Sequence, residues 1–245
     1  MAKQKLKRFA EFADYPHTFD FAYELQGKWH QEVFKNNNPI VLELGCGKGE
    51  YTVALAQEHP EKNFIGIDIK SNRMWVGAKK ALENNMNNVG FMRALMHRIN
   101  ELFAPGEVAE IWITFPDPFV RHRSAKHRLT HTRFLRLYQQ ILKPGGVINF
   151  KTDSDELFAF TQNMLQHLGI TPEVVDYNVH TNPNAEPMLK NVRTYYENLF
   201  MGRGKTIKFT RFRLDDLKED KSTAFEDWFE TERLKLVAAG KSTGI

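Results

Sequence analysis

Short apolar runs recur along the first two thirds of the chain, separated by longer segments with apolar residues at helical spacing. Ile40-Val41-Leu42-Glu43-Leu44, Asn63-Phe64-Ile65-Gly66-Ile67-Asp68, Val89-Gly90-Phe91-Met92-Arg93-Ala94, residues 109–115 and Val147-Ile148-Asn149-Phe150-Lys151-Thr152-Asp153 read as five strands. Each is short and bounded by turn formers, as strands are. Helices are predicted over about 50–58, 70–85, 132–142 and 154–168, the third stopped by Lys143-Pro144-Gly145-Gly146. Residues 17–35 read as an amphipathic helix running into Asn36-Asn37-Asn38-Pro39. Strands alternating with helices define an α/β class with a mostly parallel sheet and helices on both faces. Right-handed crossovers then bring the C-terminal ends of the strands to one edge, where ligands bind.

The last third is less regular. Asn182-Pro183, Asn184 and Pro187 signal turns before Thr194-Tyr195-Tyr196-Glu197, and a final strand is predicted over about 205–212. Residues 215–239 are charge-rich, with apolar Leu217, Phe225, Trp228, Phe229, Leu234, Leu236 and Val237, and read as an appended amphipathic helix. The expected organisation is a basic N-terminal segment and helix over 1–35, one domain over 36–214 and a helical extension over 215–245.

Composition narrows the picture. At 245 residues and 42% hydrophobic, the chain has enough apolar material for a large core. Its single cysteine, Cys46, excludes an intrachain disulfide and a multi-cysteine zinc site, and suits a reducing cytoplasm. No segment approaches the roughly 20 apolar residues of a membrane helix. The basic start (Lys3, Lys5, Lys7, Arg8) has no long apolar run behind it, so no signal peptide is expected. Net charge is only +4, but its distribution is uneven. From Asp117 to Asp153 there is no acid between the two ends, while Arg121, Arg123, Lys126, Arg128, Arg133, Arg136, Lys143 and Lys151 fall inside. Such a block is an electrostatic footprint for phosphates. His122, His127 and His131 lie in it without paired cysteines or acids, so phosphate contact or a surface position is expected rather than a metal.

Two features carry chemistry. The first is Glu43-Leu44-Gly45-Cys46-Gly47-Lys48-Gly49 between strand and helix, a G-x-G-x-G spacing. Glu50 stands where a dinucleotide fingerprint requires its third glycine, which argues against NAD or FAD. Asp68 ends the next strand, where a carboxylate accepts a pair of ribose hydroxyls. The second is Phe115-Pro116-Asp117-Pro118-Phe119 at the end of the fourth strand. Proline fixes φ and ends a sheet ladder, so this turn is stiff and holds one acid beside the basic run.

The E-x-G-x-G-x-G turn with the strand-two acid resembles the class I S-adenosylmethionine-dependent methyltransferases, which have a Rossmann-like, seven-stranded, mostly parallel sheet. That resemblance implies that Gly45, Gly47 and Gly49 pass close to S-adenosylmethionine, Glu43 lies near its amino-acid end, Asp68 binds its ribose, and Leu95 lies against its adenine. With Asp117 between two prolines, the run from Arg121, Phe150-Lys151-Thr152-Asp153 and the T-x-x-E of Thr194 to Glu197, residues 35–212 are similar to the bacterial tRNA (guanine-N7-)-methyltransferases. The family resemblance implies a catalytic, cofactor-side role for Asp117 and tRNA contacts at Arg121, Asp153, Thr194, Tyr195, Tyr196 and Glu197. Here Arg121 replaces a common lysine, and Leu95-Met96-His97 stands where the family often has an acid. Asp153 and Glu197 are expected to accept the N1–H and N2 protons that distinguish guanine from adenine, with the alternatives of a helix N-cap for Asp153 and core packing for the two tyrosines.

The expected function is methyl transfer from S-adenosylmethionine to N7 of a guanosine in the tRNA variable loop. The alternatives are a methyltransferase on rRNA or another nucleic acid, and a non-catalytic RNA-binding subunit. The expected partner is tRNA, with no membrane and no metal, for a cytoplasmic monomer or homodimer.

Overall fold

A computed structural model describes residues 2–215 and 217–239. Eight strands form one sheet: β1 (Thr18–Asp20), β2 (Ile40–Leu44), β3 (Asn63–Asp68), β4 (Val89–Arg93), β5 (Val108–Thr114), β6 (Leu142–Thr152), β7 (Val174–Asp176) and β8 (Lys208–Arg213), in the order β1-β4-β3-β2-β5-β6-β8-β7. Pairing is parallel from β1 through β6, and β8 lies antiparallel between β6 and β7. Helices α2 (Glu50–Glu58), α3 (Ser71–Glu83), α4 (Thr132–Ile141) and α5 (Asp155–Leu168) are the crossover helices that the apolar periodicity predicts.

Both faces of the sheet are covered. Along β5, Ile111 and Ile113 join one core cluster with Trp29, Leu135 and Phe150, while Trp112 points into another with Tyr51 and Phe209. Period-two alternation thus divides two apolar cores. All five residues of β2, the central strand between β3 and β5, are buried.

The sheet has eight strands rather than the expected seven, because residues 17–35 do not form a helix. His17 and Phe21 take positive φ (58° and 50°) and bracket β1, which pairs with the edge of β4. That pairing covers a row of backbone groups that an exposed edge would leave unsatisfied. Tyr23–Leu25 is a 3-10 turn and Trp29–Phe34 a π-helical turn. Trp29 is fully buried, stacks on Phe103 at 5.4 Å and donates its indole N–H to the Leu102 carbonyl. The expected boundary at residue 35 therefore falls inside the packed layers.

β6 begins earlier than predicted. Leu142 pairs with Val108, and Lys143–Gly146 bulge out, with Gly145 at φ 72°, before regular pairing resumes at Val147. Helix α1 (Ala2–Asp14) lies on α3, where Trp75 donates to Glu11 and Arg8 stacks over the Trp75 ring at 4.6 Å. After β7 come two short helices, α6 (Pro187–Asn191) and α7 (Tyr195–Met201). Helix α8 (Glu219–Ala238) packs on α4 and α5 through Phe225, which is fully buried against Phe160 and Phe229. Of the expected extension over 215–245, residues 216 and 240–245 lie outside the described residues, as do the side chains of Leu236 and Val237. Among the described residues no helix is long and apolar enough to cross a membrane.

Candidate active site

The C-terminal ends of β2, β3, β4, β5 and β6 open onto one cleft of about 950 Å³. Its lining includes Glu43, Gly45, Gly47, Asp68, Leu95 and Asp117. It also includes Asp153, Thr194 and Tyr196. Gly49, Arg121, Tyr195 and Glu197 are not part of that lining.

The glycine turn is tied to β3. Gly45 N–H and Cys46 N–H both donate to the Ile67 carbonyl, and Gly47 N–H donates to Asp68 Oδ2 at 3.0 Å. Asp68 Oδ1 accepts from Lys70 N–H at 2.9 Å, so the acid is oriented by backbone on both oxygens. Gly47 has φ 56° and nothing within 4 Å of where a Cβ would sit, so its backbone faces open space in the cleft. Gly49 differs from the expectation. A Cβ there would lie 2.3 Å from the Phe91 ring, and one on Gly77 would lie 2.8 Å from the Lys48 carbonyl. The third glycine therefore lets α2 and α3 close on the sheet around Phe91, below the cleft.

Glu43 sits at the cleft floor, 3% exposed. Its carboxyl accepts from Thr52 N–H (2.8 Å), Thr52 Oγ1 and Thr114 Oγ1 (2.5 Å). Burial nevertheless pushes its pKa up from 4.5 to about 7, because desolvation outweighs the three donors. Thr52 and Thr114 are partners that no sequence motif singles out.

The turn after β5 is strained on both sides of the acid. Phe115 and Phe119 adopt φ 47° and 42°, a region that costs non-glycine residues about 1–3 kcal/mol each. Three observations show what holds it. Phe115 N–H donates to the Lys151 carbonyl at 2.9 Å, anchoring the turn to β6. Phe119 N–H donates to Asp117 Oδ1 at 3.2 Å, so the carboxylate also closes the turn. Arg128, fully buried, donates from Nε to the Pro118 carbonyl and from Nη2 to the Phe119 carbonyl, both at 3.1 Å, and stacks over Phe160 at 4.4 Å. Burial lowers the Arg128 pKa to about 10, still charged at neutral pH.

The opposite wall comes from β6 and the α6–α7 segment. Burial raises the Asp153 pKa. Asp153 is not the helix cap: Ser154 caps α5 through Leu157 N–H. Thr194 caps α7 by accepting from Glu197 N–H at 3.2 Å, which explains half of the T-x-x-E spacing. Glu197 does not face the cleft. Its carboxylate is fully buried, 2.9 Å from Lys151 Nζ and 2.8 Å from His180 Nε2. An acid so enclosed is not placed to read guanine protons, which corrects that expectation. Tyr196 stacks on Phe200 (6.1 Å), and Phe200 meets Phe115 at a tilt (6.4 Å), forming an aromatic wall. Tyr195 is more than half exposed, under Lys48 Nζ at 4.4 Å.

The basic block divides in two. Arg121, Arg123 and Lys126 are exposed. Arg128 and Lys151 are buried, and Arg136 is held by Ser222 and Glu226 of α8. His131 is not at the surface: it caps α4 and stacks on Phe160, and burial lowers its pKa to about 4. His127 lines the cleft at its Phe119 edge. Among the described residues no group of three or more His, Cys, Asp or Glu is placed to hold a metal ion.

Solved structures show the fold class. A 16S rRNA methyltransferase, 14% identical, superposes with TM-score 0.56 over 74% of this chain and 90% of its own. An antibiotic-related methyltransferase, 19% identical, does so with TM-score 0.53 over 74% and 89%. The fold is that of the class I methyltransferases.

The sequence narrows the class. The profile of the family described as "Putative methyltransferase" matches residues 37–210. The tRNA (guanine-N(7)-)-methyltransferase of Bacteroides thetaiotaomicron is 45% identical over 222 residues, 87% of each chain. That of Christiangramia forsetii is 44% identical over 87% of this chain and 99% of its own, and that of Clostridium acetobutylicum 39% over 76% and 86%. The chain belongs to the tRNA (guanine-N(7)-)-methyltransferase family.

Proposed function

We propose that this protein transfers a methyl group from S-adenosylmethionine to N7 of a guanosine in the variable loop of tRNA. The observation that carries the reading is the strained Phe115–Phe119 turn, which puts Asp117 in the wall of the same cleft as Gly47 and Asp68, in a chain of this family. We place the protein in the cytoplasm, as a monomer or homodimer that uses no metal. Residues 36–214 carry the cleft, and β1 and Trp29 complete the sheet and core that support it.

The cleft fits S-adenosylmethionine on three counts. Its volume suits a nucleoside-sized ligand. Gly47 leaves its backbone open to close approach. Carboxyl groups at Glu43 and Asp68 line the end of the cleft beside the glycine turn, which suits a cationic ligand. Gly45 and Gly47 would bound the ligand, Glu43 its amino-acid end, Asp68 the ribose and Leu95 the adenine. When bound, S-adenosylmethionine supplies a methyl group on a positively charged sulfur.

The chain's own residues then have two tasks. Guanine N7 carries an in-plane lone pair, so no proton has to leave before it attacks and no strong general base is needed. Charge must be managed instead, because the purine gains the positive charge that the sulfur loses. Asp117, fixed by its two prolines and Arg128, orients the base and stabilises that developing charge. Asp153 accepts guanine protons from the far wall. Thr194, Tyr196 and Phe200 hold the base in line, which supplies most of the remaining acceleration. Arg121 and Tyr195, outside the cleft lining, contact the RNA beyond the target nucleotide.

Asp117→Ala tests the assignment. The variant should lose about 100-fold or more in methyl transfer to tRNA, measured with labelled donor, while its calorimetric affinity for S-adenosylmethionine stays near wild type. Full activity in the variant would refute the role.

A further inference from the structure

Lys151 of β6, buried behind the cleft, serves opposite walls with its backbone and its side chain. Its carbonyl accepts Phe115 N–H, fixing the first strained residue of the Asp117 turn. Its Nζ donates to the Leu189 carbonyl of α6 at 2.7 Å and to Glu197 of α7 at 2.9 Å. Both charges are fully buried. His180 closes the remaining side of Glu197, and the Lys151 ammonium lies 5.2 Å from the Tyr51 ring and 5.7 Å from that of Phe115. Thr194 caps α7 by accepting Glu197 N–H, so the residue whose N–H takes the cap also pins the helix inward through its carboxylate.

We propose that Glu197 is a positioning residue that acts through Lys151, not a guanine-reading one. The pair sets the height of the α6–α7 segment, and with it Thr194 and Tyr196, against the Asp117 turn. The proposal rests on the methyl-transfer reading and changes what the second half of T-x-x-E does in it. A pair this deeply buried loses strongly when one partner is removed, because the other is left as an unpaired buried charge, yet replacement of both by apolar groups of similar size is tolerated. Direct recognition behaves differently: once the acid is gone, no change at Lys151 restores it.

The test compares Glu197→Ala, Lys151→Met and the double variant Lys151→Met/Glu197→Met, with kcat and KM for tRNA lacking the modification. Each single variant should lose about tenfold or more in kcat/KM for tRNA, with affinity for S-adenosylmethionine within about twofold, since neither residue lines the cleft. The double variant should return to within about threefold of wild type. A double variant that melts like wild type but is no more active than Glu197→Ala overturns the proposal.

A second measurement does not depend on the double variant folding. A tRNA carrying inosine at the target position lacks the N2 amino group. Its penalty relative to guanosine should persist in Glu197→Gln and shrink in Asp153→Asn. A penalty that disappears in Glu197→Gln and persists in Asp153→Asn also overturns the proposal. Silence of the wild-type enzyme on every tRNA would instead defeat the methyl-transfer reading itself, so the two failures are distinguishable.

Discussion

Glu43 shows how one residue registers its surroundings. It accepts three hydrogen bonds, which favour the ionised carboxylate, yet complete burial wins and its pKa stands at about 7. A carboxyl whose pKa is higher folded than unfolded contributes its full stability below about pH 4.5, and that contribution is lost as pH rises through about 7. The gap between 4.5 and about 7 corresponds to about 3 kcal/mol. Denaturant unfolding at pH 4.5 and pH 8 should therefore show the wild type losing about 3 kcal/mol relative to Glu43→Gln. Parallel losses in the two proteins would contradict the buried-carboxyl account. The sequence marks Glu43 as a motif acid, but Thr52 and Thr114 are not legible there, because their role arises only when β2, α2 and β5 come together.

At the scale of elements, the central strands are legible because each apolar run is buried on both faces and has no competing pattern. β2 and β3 occupy the predicted residues. Residues 17–35 mislead because their spacing suits a helix, while the free edge of β4 recruits Thr18–Asp20 as a strand. Burial of Trp29 and the positive φ of His17 and Phe21 belong to tertiary packing, not to local propensity. Arg128 makes the same point within the turn. In sequence it is one more cation of a basic run; in the fold it holds two carbonyls of the Pro118–Phe119 segment. Arg128→Leu should cost about 2 kcal/mol by thermal unfolding, from two partly buried carbonyls left without partners, and should reduce kcat well beyond its effect on affinity for S-adenosylmethionine. Arg128→Lys should recover little, since an ammonium does not reproduce the guanidinium fork. Wild-type kcat in Arg128→Leu would show that the turn holds itself.

For the whole molecule, exposed cations flank both walls of the cleft. Exposed Arg121, Arg123 and Lys126 on one side, and Arg193, Arg203 and Lys205 on the other, lie in or next to the two segments that wall the cleft at Asp117 and at Thr194. Net charge does not reveal this; the acid-free interval from 117 to 153 does, although it overcounts by including Arg128 and Lys151. tRNA affinity should fall linearly on a log–log plot against salt, and removing Arg121 or Arg123 should lower the slope by about 1. An unchanged slope would place the RNA elsewhere. What defines this enzyme is the atom it methylates, guanine N7. Incubating unmodified tRNA with the wild-type protein and labelled S-adenosylmethionine, then digesting it to nucleosides, reads that atom out. Label should appear in N7-methylguanosine from the variable loop and be abolished in Asp117→Ala; label in another nucleoside, or none in any tRNA, would rule out this acceptor.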